Sequence, residues 1–279
     1  MLTSKNISPD CISGFKTRGF GMIIDCHTHI SCPEEQVDSE QHRSVCREID
    51  GCFVLAGCGF ERKEANHHLS EYISGNPKAI GFAVFNPVED GVSKRILKDA
   101  TEDLGLRGIV LYCAEDRFHP AHTQAMELYE LCQERGIPVF FHNCPPYSSE
   151  AVLDYARPWL LDEVARTFPG LKMIVGRMGL PFLEQTLCLL AKHENVFADL
   201  TVNPMKAWQV YNTVVSAYEA GVMDKLLFGS GFPYAQPGAC IETLLGFNKL
   251  LSDSHLPTVP REKLRSIVER DSLSLLGLS

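Results

Sequence analysis

The sequence predicts an α/β protein of the (β/α)8 barrel class, a TIM barrel, on three observations. Short apolar runs alternate with stretches of helical composition eight times from residue 22 onward. The runs are near-continuously apolar, as strands buried on both faces of a parallel sheet are. Eight such units in roughly 255 residues is the size of that barrel. An open doubly wound sheet is the alternative. It usually carries a glycine-rich phosphate loop after its first strand, and DCHTHI at 25–30 is not one.

The elements follow in order. The first strand is MIIDCH (22–27), followed by a helix near 36–49. GCFVLAG (51–57) is a short apolar run bounded by glycines, and a helix near 62–74 follows, in which His67 and His68 read as solvated. AIGFAVF (79–85) and RGIVLYC (107–113) are the third and fourth strands, with helices near 90–104 and 121–135. IPVFFHN (137–143) leads to a helix near 149–168, and LKMIVGR (171–177) to one near 181–193. NVFADLT (195–201) precedes a helix near 203–220, and KLLFGSG (225–231) precedes two more, near 239–252 and 260–277. No internal repeat or low-complexity segment interrupts the pattern. Residues 1–21 are read as an N-terminal extension and 22–279 as a single barrel domain.

Composition narrows the function. The chain has 279 residues, is 45% hydrophobic and carries a net charge of −9, with no block of like charge. That disfavours nucleic acid and anionic membranes as partners. Residues 1–21 lack the apolar core of a secretory signal, and Met22 stands directly before the first strand as an alternative start. No run approaches a membrane span. The eleven cysteines are odd in number and form no C-x-x-C pair, so a reducing, cytoplasmic compartment without disulfides is expected.

Chemistry in such a barrel sits at the C-terminal ends of the strands. There the chain places Asp25, His27 and His29 after strand 1, and Tyr112, Cys113, Glu115, Asp116, His119 and His122 after strand 4. His142, Asn143 and Cys144 follow strand 5, Arg177 ends strand 6, Asp199 and Thr201 lie on strand 7, and Ser230 and Gly231 end strand 8. His27, His29 and His142 make a three-imidazole set, a known catalytic zinc arrangement with one open position. Taken alone, an H-x-H pair is more often a pair of hydrogen-bonded core or surface histidines. Its position at a strand end favours the metal.

IIDCHTHI, followed in order by GFAVFNPVED, DLGLRGIVLY, YELCQERGIPVFFHN and LLFGSGFPYAQP, resembles the amidohydrolase-related (amidohydrolase 2) branch of the amidohydrolase superfamily. The resemblance runs from about residue 22 to the C-terminus. It implies metal-dependent hydrolases and nonoxidative decarboxylases of carboxylated aromatics and muconate-type semialdehydes. It also implies metal ligands at His27, His29 and His142. Two family positions depart from the pattern. Arg177 stands where the family has a strand 6 histidine, and Gly231 stands where it has the strand 8 aspartate that ligates metal and acts as base.

The site is thereby about two charges more positive than the family pattern, since guanidinium stays protonated. Arg177 reads either as a fork for a substrate carboxylate or as the ion-pair partner of Asp199 or Glu115. The replacement base is unknown, and His119, His122 and Asp199 are candidates. Two functions stay open. One is a hydrolase or decarboxylase of a small anionic compound with one divalent metal, zinc by its ligand set. The other is a non-catalytic or metal-free barrel that binds an anionic ligand through Arg177. A homodimer is compatible with both.

Overall fold

The computed structural model describes residues 21–30, 39–58, 61–143, 147–251 and 254–279. Eight parallel strands form one sheet in sequence order: β1 (Ile24–Thr28), β2 (Gly51–Leu55), β3 (Ala79–Val84), β4 (Gly108–Leu111), β5 (Val139–Phe141), β6 (Met173–Val175), β7 (Val196–Asp199) and β8 (Leu226–Leu227). The ring closes through the chain after β8. Cys26 N–H donates to the Phe228 carbonyl at 2.8 Å, Gly231 N–H to that of His27 at 2.9 Å, and His29 N–H to that of Phe232 at 2.9 Å. The (β/α)8 barrel is therefore the observed fold.

Each strand is covered by a helix. These are α1 (Ser39–Val45), α2 (Arg62–Ser74), α3 (Lys94–Lys98), α4 (Thr123–Arg135), α5 (Leu161–Thr167), α6 (Leu183–Lys192), α7 (Ala207–Glu219) and α8 (Pro237–Leu250), followed by α9 (Arg261–Val268) and α10 (Ser272–Leu276). Helix α4 shows how local sequence sets such an element. The His122 imidazole caps its first turn by accepting from Gln124 N–H, and Gly136 ends it in the left-handed region at φ 66°. His67 and His68 lie exposed on α2.

Several expected helices are shorter than the sequence suggested, and two are broken by a clear cause. The 149–168 stretch forms 3-10 turns at Leu153–Ala156 and Pro158–Leu160 before α5. Pro158 lacks the N–H that a continuous helix needs. The 260–277 stretch is split into α9 and α10. Arg270 turns inward there, its Nε donating to the Leu226 carbonyl and its Nη2 to that of Met223, and Asp271 caps α10 through Ser274 N–H.

An aromatic run lies beneath the histidines. The Phe53 and Phe82 ring centroids are 5.0 Å apart, Phe82 meets Phe140 edge-on at 6.4 Å, and Phe140 meets His27 edge-on at 5.3 Å. Each Phe contributes about 1.5–3 kcal/mol by leaving water. Gly108 makes the run possible, because a Cβ there would lie 2.3 Å from the Phe82 ring. At the rim, Trp159, Met205 and Trp208, on the segments leaving β5 and β7, are 58%, 92% and 64% exposed. No described helix is long and apolar enough to cross a membrane.

Candidate metal centre

β1 and β5 stand four places apart in the eight-stranded ring, so their C-terminal ends face each other across the mouth. His27 lies within β1, His29 just beyond it, and His142 just beyond β5. The Nε2 atoms of His27 and His29 are 3.2 Å apart, and those of His29 and His142 are 3.3 Å apart. The three rings meet pairwise edge-on at centroid distances of 5.1–5.2 Å. The expected convergence of two separated segments is therefore present.

The far side of each strand 1 ring fixes which nitrogen faces the centre. His29 Nδ1–H donates to the Leu55 carbonyl at 3.0 Å, and His27 Nδ1–H donates to Asp199 Oδ2 at 2.5 Å. Both Nε2 lone pairs are left pointing inward, the tautomer a cation needs. Burial, with the neighbouring His27 charge, lowers the His29 pKa to about 3. Burial, His27, His29 and Arg177 push His142 down as well. Both rings are thus neutral, ligand-competent imidazoles at neutral pH. Residues, tautomers and spacing all fit a divalent ion.

Asp199 is the node behind this arrangement. Its carboxylate accepts from His27 Nδ1, from Arg177 N–H at 3.0 Å, from Thr201 N–H at 2.9 Å, and from the Thr201 hydroxyl. Burial alone would raise its pKa, but the His27 charge and these donors hold it below the usual carboxylate value. Gly229 gives it room, since a Cβ there would lie 2.0 Å from Asp199 Oδ1. Arg177 and Met178 adopt left-handed conformations, at φ 48° and φ 54°, as the Arg177 N–H meets the Asp199 carboxylate. Such strain in non-glycine residues persists where surrounding contacts enforce it.

The other sequence candidates separate into groups. His119 Nδ1 accepts from Ala121 N–H at 3.0 Å, His122 is the α4 cap, and Glu115 holds Ser148 through its N–H and hydroxyl. These residues organise loops. Asp116 faces Arg62 at 3.8 Å, alongside Glu89 and Asp90 on the same guanidinium. Asp25 Oδ1 accepts from Ser230 N–H and His27 N–H, so Asp25 ties β1 to the chain after β8. Burial drives the Cys113 thiol upward, away from thiolate. Cys144 lies outside the described residues. Gly231 sits at φ 69°, and a Cβ there would lie 2.8 Å from Thr201 Cγ2. Among the described residues, no carboxylate joins the three imidazoles as a further inward-facing ligand.

The sequence reading missed the task of Asp199. It considered a base or ordinary packing, whereas the carboxylate orients His27 from behind. The glycine at 229, facing an acidic strand residue, was the available signal.

The sequence pattern of the amidohydrolase family matches residues 24–268. The chain belongs to the amidohydrolase family. No curated protein matches it. Among solved structures, this amidohydrolase resembles a probable 2-pyrone-4,6-dicarboxylic acid hydrolase from Acinetobacter baumannii with citric acid bound. The identity is 14%, the TM-score 0.67, and the match covers 92% of this chain and 99% of that one. It resembles 2,6-dihydroxybenzoate decarboxylase from Rhizobium at 15% identity and TM-score 0.65, covering 92% and 99%. It also resembles a dihydroxybenzoic acid decarboxylase from Polaromonas sp. JS666 with bound manganese and the inhibitor 2-nitroresorcinol. There the identity is 15%, the TM-score 0.62 and the coverage 92% and 97%. At these identities the likeness is one of fold.

Proposed function

We propose that this amidohydrolase is a metal-dependent hydrolase or nonoxidative decarboxylase of a small carboxylated compound. His27, His29 and His142 would hold the metal. The observation that carries the reading is the inward convergence of three imidazole nitrogens, with the His27 Nδ1 side held by Asp199 and the His29 Nδ1 side by the Leu55 carbonyl. A divalent ion there would supply Lewis acidity and acidify water. Imidazole donors favour zinc, and manganese, the ion in the Polaromonas relative, is the second candidate.

The chain's own groups define the rest. Asp199 keeps His27 in its binding tautomer. Arg177, whose charge acts on His142, offers a carboxylate fork near the imidazole set. Beside His142 lies a small cleft lined by Cys113, Asn143, Tyr155, Arg157 and Leu161, with room for about one water molecule. Retention of one equivalent of zinc or manganese by the purified chain, its loss in His142→Ala, and turnover of a carboxylated aromatic or pyrone are expected. A chain that takes up neither metal from excess at neutral pH would overturn the metal reading.

Among the described residues no carboxylate faces the centre, which favours one second reading, a barrel that binds an anion through Arg177 without turnover. In that case, carboxylate ligands would bind the metal-free chain and Arg177→Leu would abolish the binding.

A further inference from the structure

The residue between the two strand 1 histidines is tied to a buried polar chain that leads away from the mouth. Thr28, His42, Tyr72 and Asn76 are 1%, 0%, 4% and 8% exposed. Thr28 Oγ1 lies 2.7 Å from the Phe53 carbonyl and 2.9 Å from His42 Nε2. His42 Nδ1 lies 2.5 Å from the Tyr72 hydroxyl, which is 3.0 Å from Asn76 Nδ2.

With a single proton on the His42 ring, one acceptor fixes the direction of these bonds; the Cys46 thiol also lies 3.4 Å from His42 Nδ1. A carbonyl only accepts, so the Thr28 proton goes to Phe53. Thr28 Oγ1 then accepts from His42 Nε2–H, which leaves Nδ1 to accept from the Tyr72 hydroxyl. The Tyr72 oxygen in turn accepts from the Asn76 amide. Each hydroxyl proton is used once, and both His42 nitrogens are satisfied.

This chain is anchored at an irregularity. Asp25 pairs with Cys52, yet Thr28 pairs with Val54, so β1 carries one extra residue between those pairs. A bulge re-aims side chains and must be held, because the ladder there is broken. Main-chain bonds to Gly231 and Phe232 hold the β8 side. On the β2 side the Thr28 side chain bonds the Phe53 carbonyl, and the Phe232 ring packs edge-on against His42 at 5.2 Å.

We propose that Thr28 and His42, braced by Tyr72 and Asn76, are positioning residues that set how His27 and His29 converge. They thereby set the affinity of the three-histidine centre for a divalent ion. The metal-affinity half of this inference rests on the function proposed above, and the geometric half stands without it.

The test uses the full chain with Mn2+ and Zn2+ as probes. Thr28→Val keeps the shape and removes the hydroxyl. Thr28→Ser restores the hydroxyl, and His42→Gln breaks the link from the other side. Thr28→Val and His42→Gln are expected to weaken both ions about tenfold or more by chelator competition, the scale of outer hydrogen-bond losses at metal sites. Thr28→Ser is expected to bind like the parent. Melting of the metal-free variants is read alongside, because a merely structural role would lower it without a selective loss of metal affinity. Wild-type affinity in folded Thr28→Val overturns the inference. A parent chain that binds neither ion overturns the metal reading instead. The crystal structure of metal-free Thr28→Val, or of His42→Gln where Thr28→Val does not fold, then decides the geometry. A His27–His29 Nε2 separation still at 3.2 Å would refute it, and a wider one would support it.

Discussion

Gly231 shows how a single position shapes the centre. It occupies the left-handed region at φ 69°, and a Cβ would press on Thr201 Cγ2 at 2.8 Å. Thr201 donates to Asp199, and Asp199 holds His27. Placing an aspartate at 231 therefore does more than add a carboxylate. Gly231→Asp is expected to lose about 1–2 kcal/mol of stability through backbone strain alone, read as a lower urea midpoint at unchanged slope. An unchanged midpoint would show that the loop relaxes freely. At this scale the sequence was partly legible. H-x-H at a strand end and a histidine after strand 5 marked the imidazole set. The role of Asp199 was hidden, because it depends on a contact across 172 residues and on the space left by Gly229.

The loops after β2, β3 and β4 are tied through Arg62, whose Nε meets Asp90 at 2.9 Å and whose Nη2 meets Glu89 at 2.5 Å. Asp116 completes the cluster at 3.8 Å, with its side chain 14% exposed. Burial raises its pKa to about 6 from 3.8, the Arg62 charge lowers it, and Glu89, Asp90 and Glu115 raise it further. The folded chain thus holds this proton more tightly than the unfolded one. The carboxylate costs nothing below pH 3.8, its cost grows as pH rises toward 6, and it is fully present above that. Asp116→Asn is expected to stabilise the chain by about 1–2 kcal/mol at pH 7.5 and by almost nothing at pH 3.5, compared by urea denaturation at the two values. A uniform effect at both would point to lost packing instead. Strands and most helices at this scale were legible because burial on both faces leaves a dense apolar signature. The split of 260–277 was not, because Arg270 finds its partners on the segment around β8, far back in sequence.

For the whole molecule, the barrel brings β1 and β5 to opposite sides of one mouth, so a bound ion would cross-link distant parts of the ring. At a hundred times its dissociation constant, Mn2+ or Zn2+ is expected to add about 2.7 kcal/mol. The melting temperature should then rise by roughly 4–5 °C. His142→Ala should erase the rise, and an equal rise in both chains would place the ion elsewhere. The architecture was legible from the repeated alternation and its length, since few topologies accept eight parallel units. Both tryptophans of the chain, Trp159 and Trp208, lie out on the rim rather than in the core. Their fluorescence should therefore already resemble that of solvated indole in the native state. Emission would be a poor gauge of unfolding, yet it would respond when a molecule settles over the opening.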